Sequence, residues 1–505
     1  MMSQHRPHDA IAAEPTDDHP FRALWVMMVG FFLIVVDSTV IAVANPVLKN
    51  DFDVEYHSVI WVTSGYLLAF AAFLLIGGRL GDRFGSKPVY LVGLTLFAAA
   101  SVWCGLSTSV GMLIAARVAQ GVGAALLTPQ IMSTITRTFP PQRHGMAMSV
   151  WGATAGVGML AGPLIGGVLL AGLGWQWIFF VNAPIGAIGI ALAVRLVPNL
   201  PGRPVRIDVV GALLSGAGIC LIVLGLQEGQ HERWSWWIWV AIAGGLVSIT
   251  AFLRWQTVHA DEPLIPMSLM SHRNFVLSTA GIALVSFVFV SFGVPLMIYL
   301  QEVCGLSPVH AALLTAPMAV ATAVLAPVVG RIVDRAHPRP VVGFGFGLLT
   351  AGLIWLAVEM TPDTPAWRLA LPLTMVGAAG AFTWEPLSAI ATRGLTSELA
   401  GAGSAVCNTA RHVGAALSSA GIAALMAVLL GDEHAEEAGA RHETLAPLVD
   451  SLKDPFAGAM AQSMLLPAAA AAMGVLTALF LVGGDATARA APLSLRPWGD
   501  ASVSS

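Results

Sequence analysis

Apolar positions along this chain gather into long blocks separated by short polar stretches. Fourteen blocks are long enough for a helix of ~20 residues to cross a bilayer: about 23–48, 58–78, 89–107, 110–134, 145–172, 176–197, 207–226, 236–258, 274–300, 308–330, 341–359, 367–392, 400–430 and 458–483. No long polar region is left for a soluble catalytic domain. Residues 1–22 are a short polar tail without the apolar core of a signal peptide, and 484–505 form a second polar tail.

Composition moves the same way. The chain is 56% hydrophobic and only 11% charged, with a mean hydropathy of +0.76, where soluble proteins carry roughly 25% charged residues. The formal net charge of -4 adds little; the placement of Lys and Arg adds more. Eighteen fall on the side of the N-terminus, five on the other (Lys49, Arg233, Arg368, Arg441, Lys453), and two, Arg117 and Arg411, inside spans. This bias matches the positive-inside rule and predicts that both termini are cytoplasmic. The loop at 431–457, with seven acids against two bases, then faces outward. Four scattered cysteines suggest neither a disulfide framework nor a metal site.

One charged string occurs twice. GRLGDRFGSKP starts at Gly78 and GRIVDRAHPRP at Gly330, with five identities in eleven and an offset of 252 residues. Between the copies the chain crosses eight spans. A six-helix repeat would cross six, so two helices are inserted, and 207–226 with 236–258 are the candidates. The expected fold is an all-α membrane protein of fourteen helices arranged six, two, six, with halves related by a pseudo-twofold axis along the membrane normal. Its parts are a tail 1–22, a bundle 23–198, a linker and inserted pair 199–258, a bundle 259–483 opening on an amphipathic linker 259–273, and a tail 484–505.

Two acids fall well inside spans, Asp37 in the first and Glu385 in the twelfth. Each costs roughly 2.5–3.5 kcal/mol on insertion scales, so each is expected to face a cavity or a partner. Either could load and release a proton; either could instead sit in a fixed pair with Arg117 or Arg411. Arg stays charged, so Arg117 can hold a carboxylate ionised or displace its proton. Arg411 could do the same or donate to backbone carbonyls beside Asn408. His412 reads as a packing residue. The fifth span carries Gly152, Gly156, Gly158, Gly162, Gly166 and Gly167, with Pro163 following Gly162. These small residues allow close helix approach, and Gly162-Pro163 predicts a bend. Trp61, Tyr66, Gln120, Phe287, Phe289, Phe292 and Trp384, with Asn408 and Arg411, are candidate cavity residues. Aromatic faces beside acids suit lipophilic cations.

Together these stretches resemble the major facilitator superfamily, and within it the fourteen-helix drug:proton antiporters, over about residues 23–483. GRLGDRFGSKP resembles the superfamily's loop between helices two and three, through Gly78, Asp82, Arg83, Gly85 and Lys87. The resemblance implies a gate in which Asp82 caps the start of the thirteenth span near Ala400. Asp334 and Arg335 are the matching residues of the second copy, which has His337 in place of Gly85 and is expected to be the weaker latch. RVAQG, with Arg117, is similar to a fourth-helix motif linked to proton transfer. GATAGVGMLAGPLIGG resembles a fifth-helix motif of exporters, and VVDSTVIAVANP, with Asp37, a first-helix motif of the fourteen-helix branch. Residues 175–186 and 207–216 are also similar to that branch.

The resemblance implies a monomeric multi-pass transporter of a bacterial-type plasma membrane, with a small-molecule substrate, protons and the lipid bilayer as partners. It implies no nucleic acid, no metal and no cofactor beyond the proton gradient. Export of a neutral or anionic metabolite or a lipid by the same fold remains open. Uptake by symport is disfavoured by the glycine-rich fifth helix. Enzymatic activity is disfavoured by the lack of a nucleophile–base or metal motif.

Overall fold

The computed structural model describes residues 20–482 apart from 55, 203–207, 232–233, 259–262, 394, 397–398 and 445–449. The expected tails therefore lie almost wholly outside the described residues, as does part of the 199–258 and 259–273 linkers. The side chains of the acidic 431–449 stretch lie outside them too.

Every regular element among the described residues is helical, as a chain in lipid requires if its backbone groups are to bond internally. The first set is α1 (Pro20–Phe52), α2 (Tyr56–Phe84), α3 (Ser86–Gly105), α4 (Val110–Thr138), α5 (His144–Gly172), α6 (Gln176–Phe180) and α7 (Asn182–Leu196). Then come α8 (Val209–His231), α9 (Trp236–Val258) and the short α10 (Met267–Ser271). The second set is α11 (Arg273–Ile298), α12 (Pro308–Leu314), α13 (Ala316–Arg335), α14 (Pro338–Glu359), α15 (Ala370–Arg393), α16 (Ala400–Thr444), α17 (Asp450–Ser463) and α18 (Leu465–Leu479).

Among the described residues, twelve helical stretches are long and apolar enough to cross a membrane, against the fourteen expected. The other two expected blocks, 367–392 and 400–430, coincide with α15 and α16, which are helical but not among the twelve. α15 is rich in Gly, Ala and Thr and carries Glu385, which lowers its apolarity; in α16 the side chains of residues 420, 423, 427 and 430–444 lie outside the described residues. Three expected spans are also interrupted. The α6/α7, α12/α13 and α17/α18 breaks each precede a proline by one to three residues: Pro184, Pro317 and Pro467. Proline has no N–H to give and its ring crowds the carbonyl one turn back.

Packing partners recur in the two sets. α2 lies on α4 as α13 lies on α15; α3 on α4 as α14 on α15; α1 on α5 as α11 on α16. The sets meet along two seams, α2 against α16 and α5 against α13. α8 packs on α9 and also on α2 and α16, beside the first seam. One large apolar core runs through both sets, from Met27 and Phe97 to Phe346 and Met460.

Candidate functional site: a cavity, a buried charge network and two latches

The doubled string explains itself at the seams. Gly78 crosses α16 so closely that a Cβ there would lie 2.8 Å from the Gly401 carbonyl. Gly330 crosses α5 in the same way, with the Gly145 carbonyl at 2.6 Å. Four residues on, one helical turn, each string places its aspartate on the exposed amides of the helix it crosses. The Gly401 amide donates to Asp82 at 3.1 Å, and Arg79 stands 3.7 Å from the same carboxylate. The amides of Gly145 and Met146 donate to Asp334 at 2.7 and 3.0 Å, with Arg393 at 3.5 Å. A helix N-terminus offers such amides with a favourable dipole. Both copies thus rest on two backbone amides at a helix start, Gly401 and Ala402 for Asp82, Gly145 and Met146 for Asp334.

The basic residue near the end of each string also has one job in both copies. Lys87 donates to the Val194 carbonyl in the last turn of α7, at 2.8 Å, and Arg339 donates to the Leu481 carbonyl just past α18. The strings differ at the turn. Gly85 holds φ +93°, and a Cβ there would press on the Leu200 carbonyl. His337 has φ -67° and accepts from the Arg339 amide at 3.3 Å as the cap of α14, so no glycine is needed. Arg83 and Arg335 are exposed.

Asp37 lies in a sealed polar cluster. It pairs with Arg117 of α4, and neither side chain is exposed. Gln120, one turn beyond Arg117, donates to Asp37 at 2.9 Å and to Ser101 of α3 at 2.6 Å, and accepts from Arg117 at 2.6 Å. Asn182, at the start of α7, reaches both Asp37 and Ser101 at 3.2 Å. Arg117 also donates to the Val62 carbonyl at 3.1 Å and lies 4.3 Å over the Tyr66 ring. Ser101 and Asn182 were not singled out from sequence. Asn182 could have been, because it interrupts an apolar run inside the quoted 175–186 stretch.

A cavity of about 450 Å³ lies between the two sets, bordered by α1, α2, α4, α5, α11, α13, α15 and α16. Of the residues expected there, Phe289, Trp384, Asn408 and Arg411 line it, whereas Trp61, Tyr66, Gln120, Phe287 and Phe292 lie outside its lining; of the coupling candidates, Glu385 lines it and Asp37 and Arg117 do not. Asp37 is one residue from the lining Ser38 and points the other way, into the network. Tyr66 is taken up beneath Arg117, and Phe292 packs behind Phe289 at 5.7 Å. Residues not anticipated there include Phe31, Trp151, Thr322 and His412, whose ring meets Phe70 edge-on at 4.6 Å.

The glycines of α5 divide by face. Gly158, Gly162 and Gly166 admit Val35, Thr39 and Val40 of α1; Gly156 faces Ala319 and Ala323 of α13; a Cβ on Gly152 would collide with the Glu385 carboxylate. Gly167 has no such neighbour. α5 continues as helix through Pro163.

Helices in two similarly packed sets around one cavity, with ionisable groups buried at the spans' interior, define a membrane transporter. The chain belongs to the major facilitator superfamily, whose family model (Major Facilitator Superfamily) matches residues 27–419. It is 52% identical to an uncharacterized MFS-type transporter of Mycobacterium tuberculosis, over 92% of this chain and 81% of that one. It is 32% identical to the tetracenomycin C resistance and export protein of Streptomyces glaucescens, over 82% of this chain and 77% of that one. The crystal structure of the human organic anion transporter MFSD10 shares the fold at a TM-score of 0.66 and 14% identity, covering 92% of this chain and 100% of that one.

Proposed function

We propose that this protein is a proton-driven antiporter that exports lipophilic compounds bearing a cationic group by alternating access. The observation that carries the reading is the cavity between the two helix sets. There the Glu385 carboxylate stands beside the aromatic walls of Phe289 and Trp384. Similarity to a tetracenomycin C export protein supports the outward direction. In this reading the protein is a monomer of the plasma membrane with both termini cytoplasmic. α15 and α16 complete fourteen spans arranged six, two, six, with α8 and α9 inserted.

Glu385 and Asp37 are the carboxylates assigned to proton loading. Glu385 faces the substrate, so a proton and a cationic ligand compete for it. Asp37 takes a proton only when its pair with Arg117 loosens; Gln120 and Asn182 then keep hydrogen bonds to the neutral acid. No cofactor is required beyond the proton gradient, since one charge moved through 100 mV releases roughly 2.3 kcal/mol. The Arg411 guanidinium in the same cavity favours a second reading, export of a metabolite with an anionic group.

The test is proton flux in proteoliposomes with an imposed pH gradient and a cationic dye. Wild type should exchange dye for protons, and Asp37→Asn and Glu385→Gln should each lower coupled flux at least tenfold. Wild-type flux in both variants would overturn the mechanism. Gradient-independent dye movement in the wild type would remove proton coupling altogether.

A further inference from the structure

We infer that the cavity binds amphoteric compounds, with an ammonium group held at Glu385 and a carboxylate or similar anion held at Arg411. The inference rests on the exporter reading and names its substrate class more narrowly.

Glu385 and Arg411 are the formally charged side chains among the described lining residues. Both come from the second set, on the adjacent expected spans α15 and α16. They attract each other across the cavity, but no direct ion pair joins them among the described residues. Glu385 Oε2 is buried with no hydrogen-bond partner, and so is Arg411 Nε. A buried charge without a partner is costly, and a cavity that holds one of each sign leaves two such groups for a ligand to satisfy. A ligand with only a cation answers Glu385 and leaves Arg411 bare. A ligand with both charges answers both.

Geometry favours a planar anion at Arg411. The guanidinium lies 4.6 Å over the Trp384 ring. The buried Arg411 Nε has no hydrogen-bond partner, and Nε with a terminal guanidinium nitrogen forms an edge that matches a carboxylate in two-point contact. Trp384 is also the chain neighbour of Glu385, so one ring borders both charges. The rest of the wall is apolar, with Phe31, Trp151 and Phe289 among its lining residues. About 450 Å³ suits a drug-sized body, since ligand pockets commonly span about 300–1,000 Å³.

The test uses three dansyl probes that differ only in charge. Nε-dansyl-lysine carries both groups; dansylcadaverine lacks the carboxylate; 6-(dansylamino)hexanoate lacks the ammonium. Binding to the purified full-length protein is read from dansyl fluorescence, without any gradient. Nε-dansyl-lysine should bind at least tenfold tighter than either relative. Arg411→Gln should erase the difference from dansylcadaverine, and Glu385→Gln the difference from 6-(dansylamino)hexanoate. A wild type that binds dansylcadaverine as well as or better than Nε-dansyl-lysine, or binds none of the three, overturns the inference. So does an unchanged ranking in both variants. Should either variant fail to fold, the wild-type ranking decides alone. Because this assay needs no proton flux, a failed coupling experiment leaves its outcome standing, and the reverse holds too.

Discussion

Gly152 shows how one missing side chain shapes the cavity. Its Cα faces the Glu385 carboxylate so closely that a methyl group would displace it. The carboxylate is the free end of a flexible side chain that borders the cavity, so an added methyl moves it aside and leaves the backbone in place. Gly152→Ala should therefore lower dye transport with little change in melting temperature. A large drop in melting temperature would show that the carboxylate has no room to move. The Asp37–Arg117 pair behaves differently because it is sealed. Removing one partner of a buried pair costs roughly 3–5 kcal/mol by leaving the other charge alone. Arg117→Ala and Asp37→Asn should thus each unfold in detergent at a clearly lower temperature than wild type: the first strands the Asp37 carboxylate, and the second keeps an acceptor for Gln120 but strands the Arg117 guanidinium, which stays charged. A wild-type melting temperature in either variant would show that the pair contributes nothing to stability.

At the scale of elements, helix ends carry the design. Asp82 and Asp334 each sit on the first amides of a helix from the opposite set. Hydrogen bonds to a charged group contribute roughly 1.5–3 kcal/mol. Asp334 holds the Gly145 and Met146 amides, and Asp82 those of Gly401 and Ala402. Asp334→Asn should therefore impair turnover at least as much as Asp82→Asn, measured as dye efflux at equal expression. A variant at Asp82 that is clearly the worse of the two would restore the view that the first copy dominates. The α8–α9 pair has its own tie. Asp208 accepts from the Gly211 amide at 2.8 Å, from Trp255 at 3.0 Å and from Gln256 at 2.6 Å, joining the start of α8 to the end of α9. Asp208→Ala should lower the melting temperature through the lost cap and the stranded donors, by an amount equivalent to about 1–3 kcal/mol.

For the whole molecule, the proposed alternating access requires the two seams to open in turn. α5 touches α13 from Gly145, beside Gly330, as far as Gly156, where a Cβ would lie 3.3 Å from Ala323 Cβ. That spacing is close to the ~3.5–4.5 Å of a disulfide. A Gly156→Cys, Ala323→Cys double variant should lose transport on oxidation and regain it with reductant, while wild type, oxidised alongside, keeps its activity. Full transport by the cross-linked form would show that this seam need not part.

Much of this was legible without coordinates. The apolar blocks, the acids within them and the 252-residue offset are one-dimensional facts. The bilayer turns them into helices because no other open backbone survives in lipid. The glycine-first, aspartate-fifth spacing of the doubled string likewise follows from one helical turn. What the sequence could not determine was which way each side chain points at mid-membrane. Asp37 and Ser38 are neighbours, yet one faces a sealed network and the other the cavity. Tyr66 and Gln120 look like cavity residues by type, but they serve Arg117. Facing depends on how helices distant in sequence are rotated and packed, and that is a property of the tertiary arrangement. Pattern by itself therefore determined the helices and their charged landmarks, while packing alone decided that Glu385 and Arg411 share a cavity and Asp37 stands behind it.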